Sequence, residues 1–226
     1  MSDPKKVQKP ILDGELVKVE IDGAIQKFDE DEVFALMTKA GDYLPRLQLM
    51  TSNAKKCKED EFPVNHYALV EGKNFRDLGK EVDILVVAWR PKALEIGDNV
   101  LAVHDPADPE FKRICEKAGM ADSGCMYGPE YLLYLPGAEV WVTFFMGSKS
   151  ARNEAKNMRT QMKKAATLTA QKIETKKYTW FAPKVGPCST PFDLPEDADI
   201  KEQAEKFLNS PKSEVKVDET TDDRER

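Results

Sequence analysis

Residues 81–90 read EVDILVVAWR, and this stretch constrains the fold more than any other. Val82, Ile84 and Val86 alternate with Leu85 and Val87, so a strand here carries apolar side chains on both faces. Such a strand belongs in the middle of a sheet whose two faces are both covered. The rest of the chain must supply flanking strands and covering elements. Pro91 is expected to end the strand, since proline cannot donate to a ladder.

The flanking candidates are numerous. ELVKVEI and AIQKF surround Asp22-Gly23, a two-residue hairpin signal. A short helix is expected over 30–40, capped by Asp29 or Asp31, with Val33, Phe34 and Met37 inward and Gly41 as its stop. YLPRLQLMTSN places Leu47 and Leu49 on one face of a strand and Arg46 and Gln48 on the other. VNHYALV and the weaker NVLAVHD are further strands. DPEFKRICEKAG reads as a helix capped by Asp108, with Pro109 in its first turn, Phe111, Ile114, Cys115 and Ala118 inward, and Gly119 as the stop. PEYLLYLP and AEVWVTFFM flank Pro136-Gly137 as a second hairpin. SKSARNEAKNMRTQMKKAATL is predicted helical, and AQKIETKKYTWFAP is predicted to be the last strand, followed after Pro195 by a short helix in EDADIKEQAEKFLNS.

Seven or eight strands with two or three helices, and no regular β-α alternation, exclude a parallel doubly wound sheet. The expected class is mainly β with α (α+β), an elaborated OB-like antiparallel Greek-key barrel. The expected organisation is a flexible N-terminus over 1–10, one domain over 11–194, and an acidic, largely disordered tail over 195–226.

Charge is unevenly distributed. The chain as a whole carries −6, which taken alone speaks against a nucleic-acid binder. From Met146 to Lys184, however, ten Lys/Arg face two acids, a net of +8. From Asp193 to Arg226 twelve acids face six bases, a net of −6. No stretch reaches the roughly 18 apolar residues of a membrane span, and the first fifteen residues lack the apolar core of a secretory signal. Cytoplasmic residence is the expectation. Cys57, Cys115, Cys125 and Cys188 form no C-x-x-C pair. They read as scattered reduced thiols rather than a zinc site drawn from Cys115, Cys125 and His104. No metal or other cofactor is expected.

The basic segment carries the functional signal. Ala151, Ala155, Met158 and Met162 recur at helical spacing as an apolar stripe. Arg152, Lys156, Arg159 and Lys163 follow one residue on, as a stripe of cations. Glu154 is the only acid between Lys149 and Lys164, among six cations. Solvated helix faces usually mix signs for i, i+4 pairing; a same-sign stripe suits a polyanion. In QKIETKKYTWFA, taken as one strand, Ile173, Thr175, Thr179 and Phe181 fall on the core side. Lys172, Glu174, Lys176, Tyr178 and Trp180 fall on the other. Rings among ammonium groups are what a single-strand nucleic-acid surface needs: stacking for bases, cations for phosphates. The competing reading buries Tyr178 and Trp180 in the core.

Other motifs are weaker. MGSKS lacks the upstream glycine and the Gly-Lys pair of a P-loop. Glu174-Thr175-Lys176 matches the E-x-K half of a metal-dependent nuclease, for which Glu130, Glu139 or Asp122 would have to supply a second carboxylate. Neither His66 nor His104 has the local context of a catalytic triad.

The order YLPRLQLMTSN, GKEVDILVVAWR, a basic helix, KKYTWFAP and an acidic tail resembles that of replicative single-stranded DNA-binding proteins of bacteriophages over residues 43–226. The resemblance implies an OB fold, sequence-nonspecific coating of exposed DNA during replication or recombination, no catalysis, and a tail that meets replication or recombination proteins. Such tails commonly finish in an aromatic or hydrophobic residue, whereas this chain ends Arg224-Glu225-Arg226. On this reading Lys149, Arg152, Lys156, Arg159, Lys163, Lys164, Lys172, Lys176 and Lys177 contact phosphates. Tyr178 and Trp180 stack bases, with Arg46 and Trp89 contributing. A dimer is compatible with it, and no membrane partner is expected. The alternatives are a phage-type nuclease using Glu174 and Lys176, and an assembly protein whose basic segment meets an acidic partner.

Overall fold

The computed structural model describes residues 11–13, 16–21, 24–28, 44–52, 54–58, 61–72, 74–96, 100–120, 123–175, 179–188, 192–210 and 213–214. The helix expected over 30–40, the N-terminus over 1–10 and the end of the chain from 215 lie outside these residues. The chain divides into two units, one of residues 1–43 with 215–226, the other spanning Leu44–Glu214.

In the first unit β1 (Ile11–Asp13), β2 (Leu16–Ile21) and β3 (Ala24–Phe28) form a three-stranded antiparallel sheet. The Ile21↔Ala24 pair closes the hairpin around Asp22-Gly23 as the sequence suggests.

The second unit is one large mixed, open sheet with helices on it. Its strands are β4 (Arg46–Leu49), β5 (Tyr67–Glu71), β6 (Asn74–Gly79), β7 (Glu81–Ile96), β8 (Val100–Val103), β9 (Cys125–Leu135), β10 (Val140–Phe145), β11 (Ala165–Glu174), β12 (Thr179–Pro187) and β13 (Ser213–Glu214). They run in the order β12-β11-β7-β9-β10-β4-β5-β6, with β8 on β7 and β13 on β8. All pairs are antiparallel except β10 with β4. The helices are α1 (Lys55–Lys58), α2 (Pro109–Lys117), α3 (Lys149–Thr160) and α4 (Asp197–Asn209).

β7 is the central strand that its apolar pattern demands. Val82, Ile84 and Val86 pack into a core with Tyr131, Leu133, Phe144, Leu168 and the α3 residues Ala151, Ala155 and Met158. Leu85, Val87 and Ala88 pack on the opposite face with Leu132 and Phe207 of α4. The sheet curls about the α3 face: the Tyr67 hydroxyl on β5 donates to the Thr169 carbonyl on β11 (3.0 Å), joining strands far apart in the sheet order.

Pro91 does not end β7, contrary to expectation. It lies opposite Pro129 of β9. Two facing prolines require a non-hydrogen-bonded position, where neither backbone N–H would point at the partner strand. On its other edge β7 pairs with β11 only over Glu81–Leu85 and with β8 only over Ala93–Ile96, so the missing donor meets no ladder. The helix expected to run through KKAATL instead stops at Thr160. Lys163 takes a positive φ of 59° and its N–H donates to the Val86 carbonyl, turning the chain into β11.

The last expected strand is two strands. QKIETKKYTWFA folds as the β11–β12 hairpin, whose last pair is Glu174↔Thr179. Lys172 stands opposite Phe181, and Ile173 opposite Trp180. Alternation counted through the reversal gave the wrong faces: Trp180 shares its side with Ile173, and Lys172 shares its side with Phe181.

The short helix expected after Pro195 is α4, so the tail expected to be largely disordered over 195–226 begins with a folded element. Phe207 is 2% exposed among Leu85, Val87 and Leu132, so this helix is docked. It is held by a buried carboxylate. Glu130 of β9, 3% exposed, accepts from Lys92 (2.8 Å), Arg90 (2.9 Å) and His104 (2.9 Å). Burial alone would raise its pKa, but the His104 hydrogen bond and the Lys92 and Arg90 charges hold it well below the carboxylate range. Arg90 in turn donates to the Phe207 carbonyl and the Ser210 hydroxyl and lies over the Phe207 ring.

α2 begins as its sequence predicts. Asp108 accepts from the Glu110 N–H (2.8 Å), and Pro109 opens the first turn. It is clamped to β7 by Arg113 and Lys117, which both bind Glu95. The hydrogen bond from Arg113 lowers the Glu95 pKa to about 2, from 4.5. A depressed folded-state pKa contributes stability above the unfolded value and loses it as pH falls through the folded one. Denaturant midpoints of the wild type should therefore drop more steeply than those of Glu95→Gln between about pH 4.5 and about pH 2. Parallel acid profiles would show that this clamp contributes nothing.

Candidate nucleic-acid interface

The candidate surface forms where α3 crosses the β7–β9 ribbon, and a register shift creates it. Val86 pairs with Leu133 and Ala88 with Leu132, leaving Val87 as an extra residue. The bulge inverts the alternation. Trp89 therefore stands opposite Tyr131, on the α3 face, instead of joining Phe207 on the other. It remains 37% exposed. Tyr127, four residues along β9 from Tyr131, shares that face and is 39% exposed. The two strand positions are thus about 14 Å apart along the ribbon at roughly 3.4 Å per residue.

Each ring carries an arginine from α3. The Arg159 guanidinium lies 4.3 Å from the Trp89 ring centre, and that of Arg152 lies 4.3 Å from the Tyr127 ring centre. Seven residues separate the arginines, two helical turns or about 10 Å, so one helix face meets both rings. The helix starts where it does because Ser148 accepts from the Ala151 N–H (3.2 Å). Its apolar stripe is buried at Ala151, Ala155 and Met158. The approach between β9 and the entry to α3 needs Gly128, where a Cβ would fall 2.2 Å from the Met146 carbonyl oxygen.

The two arginines differ in their commitments. Arg152 is half-buried and donates to the carbonyls of Tyr127 (2.9 Å) and Gly147, so it pins α3 to β9. Arg159 is exposed, and its hydrogen bond and charge oppose the upward push that burial gives the Tyr131 phenol. Lys149, Lys156, Lys163 and Lys164 are exposed along the helix and the turn after it. Among the described residues no carboxylate pairs with Arg152, Lys156, Arg159, Lys163 or Lys164. Glu154, the one acid of the helix, is turned to β12, where it accepts the Val185 N–H (3.0 Å).

The remaining sequence candidates are scattered. Trp180 is half-buried, and its indole N–H donates to the Ser150 hydroxyl (2.9 Å) at the start of α3. It is neither a free platform nor sealed core. Lys172 is exposed but paired with Glu174. Lys176, Lys177 and Tyr178 lie outside the described residues. Arg46 is exposed, but it stands beside Thr143, whose β9 partner is Leu132, so its register puts it on the α4 face, away from α3. Of the carboxylates considered for a nuclease, Glu130 is sealed by its three partners, Glu139 lies exposed in the β9–β10 turn, and Asp122 is outside the described residues. Tyr127 was missed by sequence reasoning. Its signal was the run Cys125–Tyr131, strand-like apart from Gly128 and Pro129, which discouraged extending β9 upstream of Pro129.

No family model, no curated protein and no solved structure matches this chain.

Arg152→Ala should cost about 1–3 kcal/mol of stability, since it removes charged hydrogen bonds to two carbonyls. Arg159→Ala should cost only about 0.5–1 kcal/mol, the worth of an exposed cation–π contact. Urea unfolding of the two variants checks this ranking, and the reverse order would refute the division of labour.

Proposed function

We propose that this protein binds single-stranded DNA without sequence preference and performs no catalysis. The observation that carries the reading is the pair of exposed rings, Trp89 and Tyr127, each stacked with an arginine of a helix whose other cations have no carboxylate partner among the described residues. A duplex buries its base faces, so exposed ring–guanidinium stacks are of most use to unpaired bases, while Lys156, Lys163 and Lys164 follow the phosphates. Trp89 replaces Trp180 as the principal stacking residue in this reading, and Lys172 loses its role because Glu174 neutralises it.

The curled sheet with α3 packed into its concave face supports an elaborated OB-like design, although the sheet is open. No helix among the described residues is long and apolar enough to cross a membrane. We place the protein in the cytoplasm, a host's if it is phage-encoded, acting in replication or recombination. The acidic stretch beyond α4 is the segment left to meet protein partners.

The test is a fluorescence titration with single-stranded and duplex oligonucleotides across salt concentrations, with and without Mg²⁺. Single strands should bind more tightly than duplex, uncleaved in either condition. Replacing Lys156, Arg159 and Lys163 with Gln should flatten the dependence of log K on log salt by about 2, at roughly 0.7 per lost contact. Trp89→Ala should weaken binding by about 1–3 kcal/mol. An unchanged slope together with unchanged affinity would remove this surface from the function. Mg²⁺-dependent strand cleavage would turn the reading to a nuclease.

A further inference from the structure

The buried group that the binding surface leaves unused is Glu130, and it lies one side chain away from that surface. Trp89 pairs with Tyr131 across the β7–β9 ladder, and the next step pairs Arg90 with Glu130. Adjacent residues of a strand point to opposite faces. The Trp89 ring therefore meets Arg159 of α3 on one side, while Arg90 meets α4 on the other.

The C-terminal strap, α4 with β13, is attached at two points, and both lead back to Glu130. At the first, Arg90 donates to the Phe207 carbonyl and to the Ser210 hydroxyl (2.8 and 2.7 Å) while its guanidinium binds Glu130 (2.9 Å). At the second, β13 pairs Ser213 with Val103 of β8, and the next residue, His104, is hydrogen-bonded to Glu130 (2.9 Å). Phe207 fills the space between them among Leu85, Val87 and Leu132. Undocking α4 would strip Arg90 of two acceptors and its ring partner, leaving the side chain free to leave Glu130. The strand step that carries Trp89 would then lose its fixed backing.

We propose that Arg90 and Glu130 are positioning residues for the Trp89 platform, and that docking of the α4–β13 strap is thermodynamically linked to single-strand binding on the opposite face. This rests on the single-strand reading given above. Because linkage is reciprocal, an oligonucleotide on the α3 face should tighten the strap by the same factor as the strap tightens the oligonucleotide.

The experiment is hydrogen–deuterium exchange of the full chain, with and without a saturating oligothymidine, read on peptides covering 197–210. Exchange there should slow several-fold on binding, although the probe sits on the other face. In parallel, Phe207→Ala should weaken oligothymidine binding about 5–10-fold with an unchanged salt slope, because no phosphate contact is lost. Should Phe207→Ala not fold, Ser210→Ala provides a milder loosening with the same expected direction. Binding by the wild type with no slowing at 197–210, and unaltered affinity in the variants, would overturn the linkage alone. A weakened affinity with a flattened salt slope would also overturn it, by making the strap part of the contact surface. Absence of any oligothymidine binding by the wild type would overturn the single-strand reading and the linkage with it.

Discussion

The second unit is organised around one buried carboxylate. Glu130 sits in the middle of β9 and is reached by Arg90 and Lys92 of β7 and by His104 just after β8. A carboxylate left alone in such a place would be costly, and removing one member of a buried charge pair typically loses about 3–5 kcal/mol. With three donors it becomes a junction. It locks the registers of three strands relative to one another and extends through Arg90 to α4. The apolar contacts of Phe207 and Leu132 stabilise the same junction without specifying it, because hydrophobic burial has no direction.

Two irregularities of the central ribbon then decide where chemistry can occur. The register shift at Val87 sends Trp89 to the face that α3 covers, and the facing pair Pro91 and Pro129 lets both strands continue without broken ladder bonds. As a result, two rings on a rigid ribbon lie beneath one helix, and that helix places an arginine on each. A site built on a helix and two central strands holds its geometry better than one on a loop.

The distribution of charge within the helix is as informative as its amount. α3 could have been neutralised by Glu154, but that carboxylate is occupied by a backbone donor of the edge strand β12. The same bond satisfies an edge N–H that would otherwise be left open. The acidic end of the chain, by contrast, begins with a folded helix on the opposite face. The charge of that helix lies across the sheet from the α3 cations.

By itself the sequence determined which elements exist wherever the signal was local. Asp22-Gly23 placed a hairpin, Asp108-Pro109 started α2, the four-three spacing of Ala151, Ala155 and Met158 set the buried face of α3, and the two-sided apolar run placed β7 at the sheet centre. What only the tertiary structure decided were the features whose signal is shared between distant residues. Pro91 stays within β7 because Pro129 faces it. Trp89 changes face because one residue bulges against β9. Trp180 and Lys172 part company because the chain reverses between them. The helix expected after Pro195, Asp197–Asn209, docks because Phe207 finds an apolar site and Arg90 finds acceptors, neither of which its own charged composition announces. The physical reason is the same in each case: alternation and propensity are read along the chain, whereas register, bulges and buried charge are settled across it.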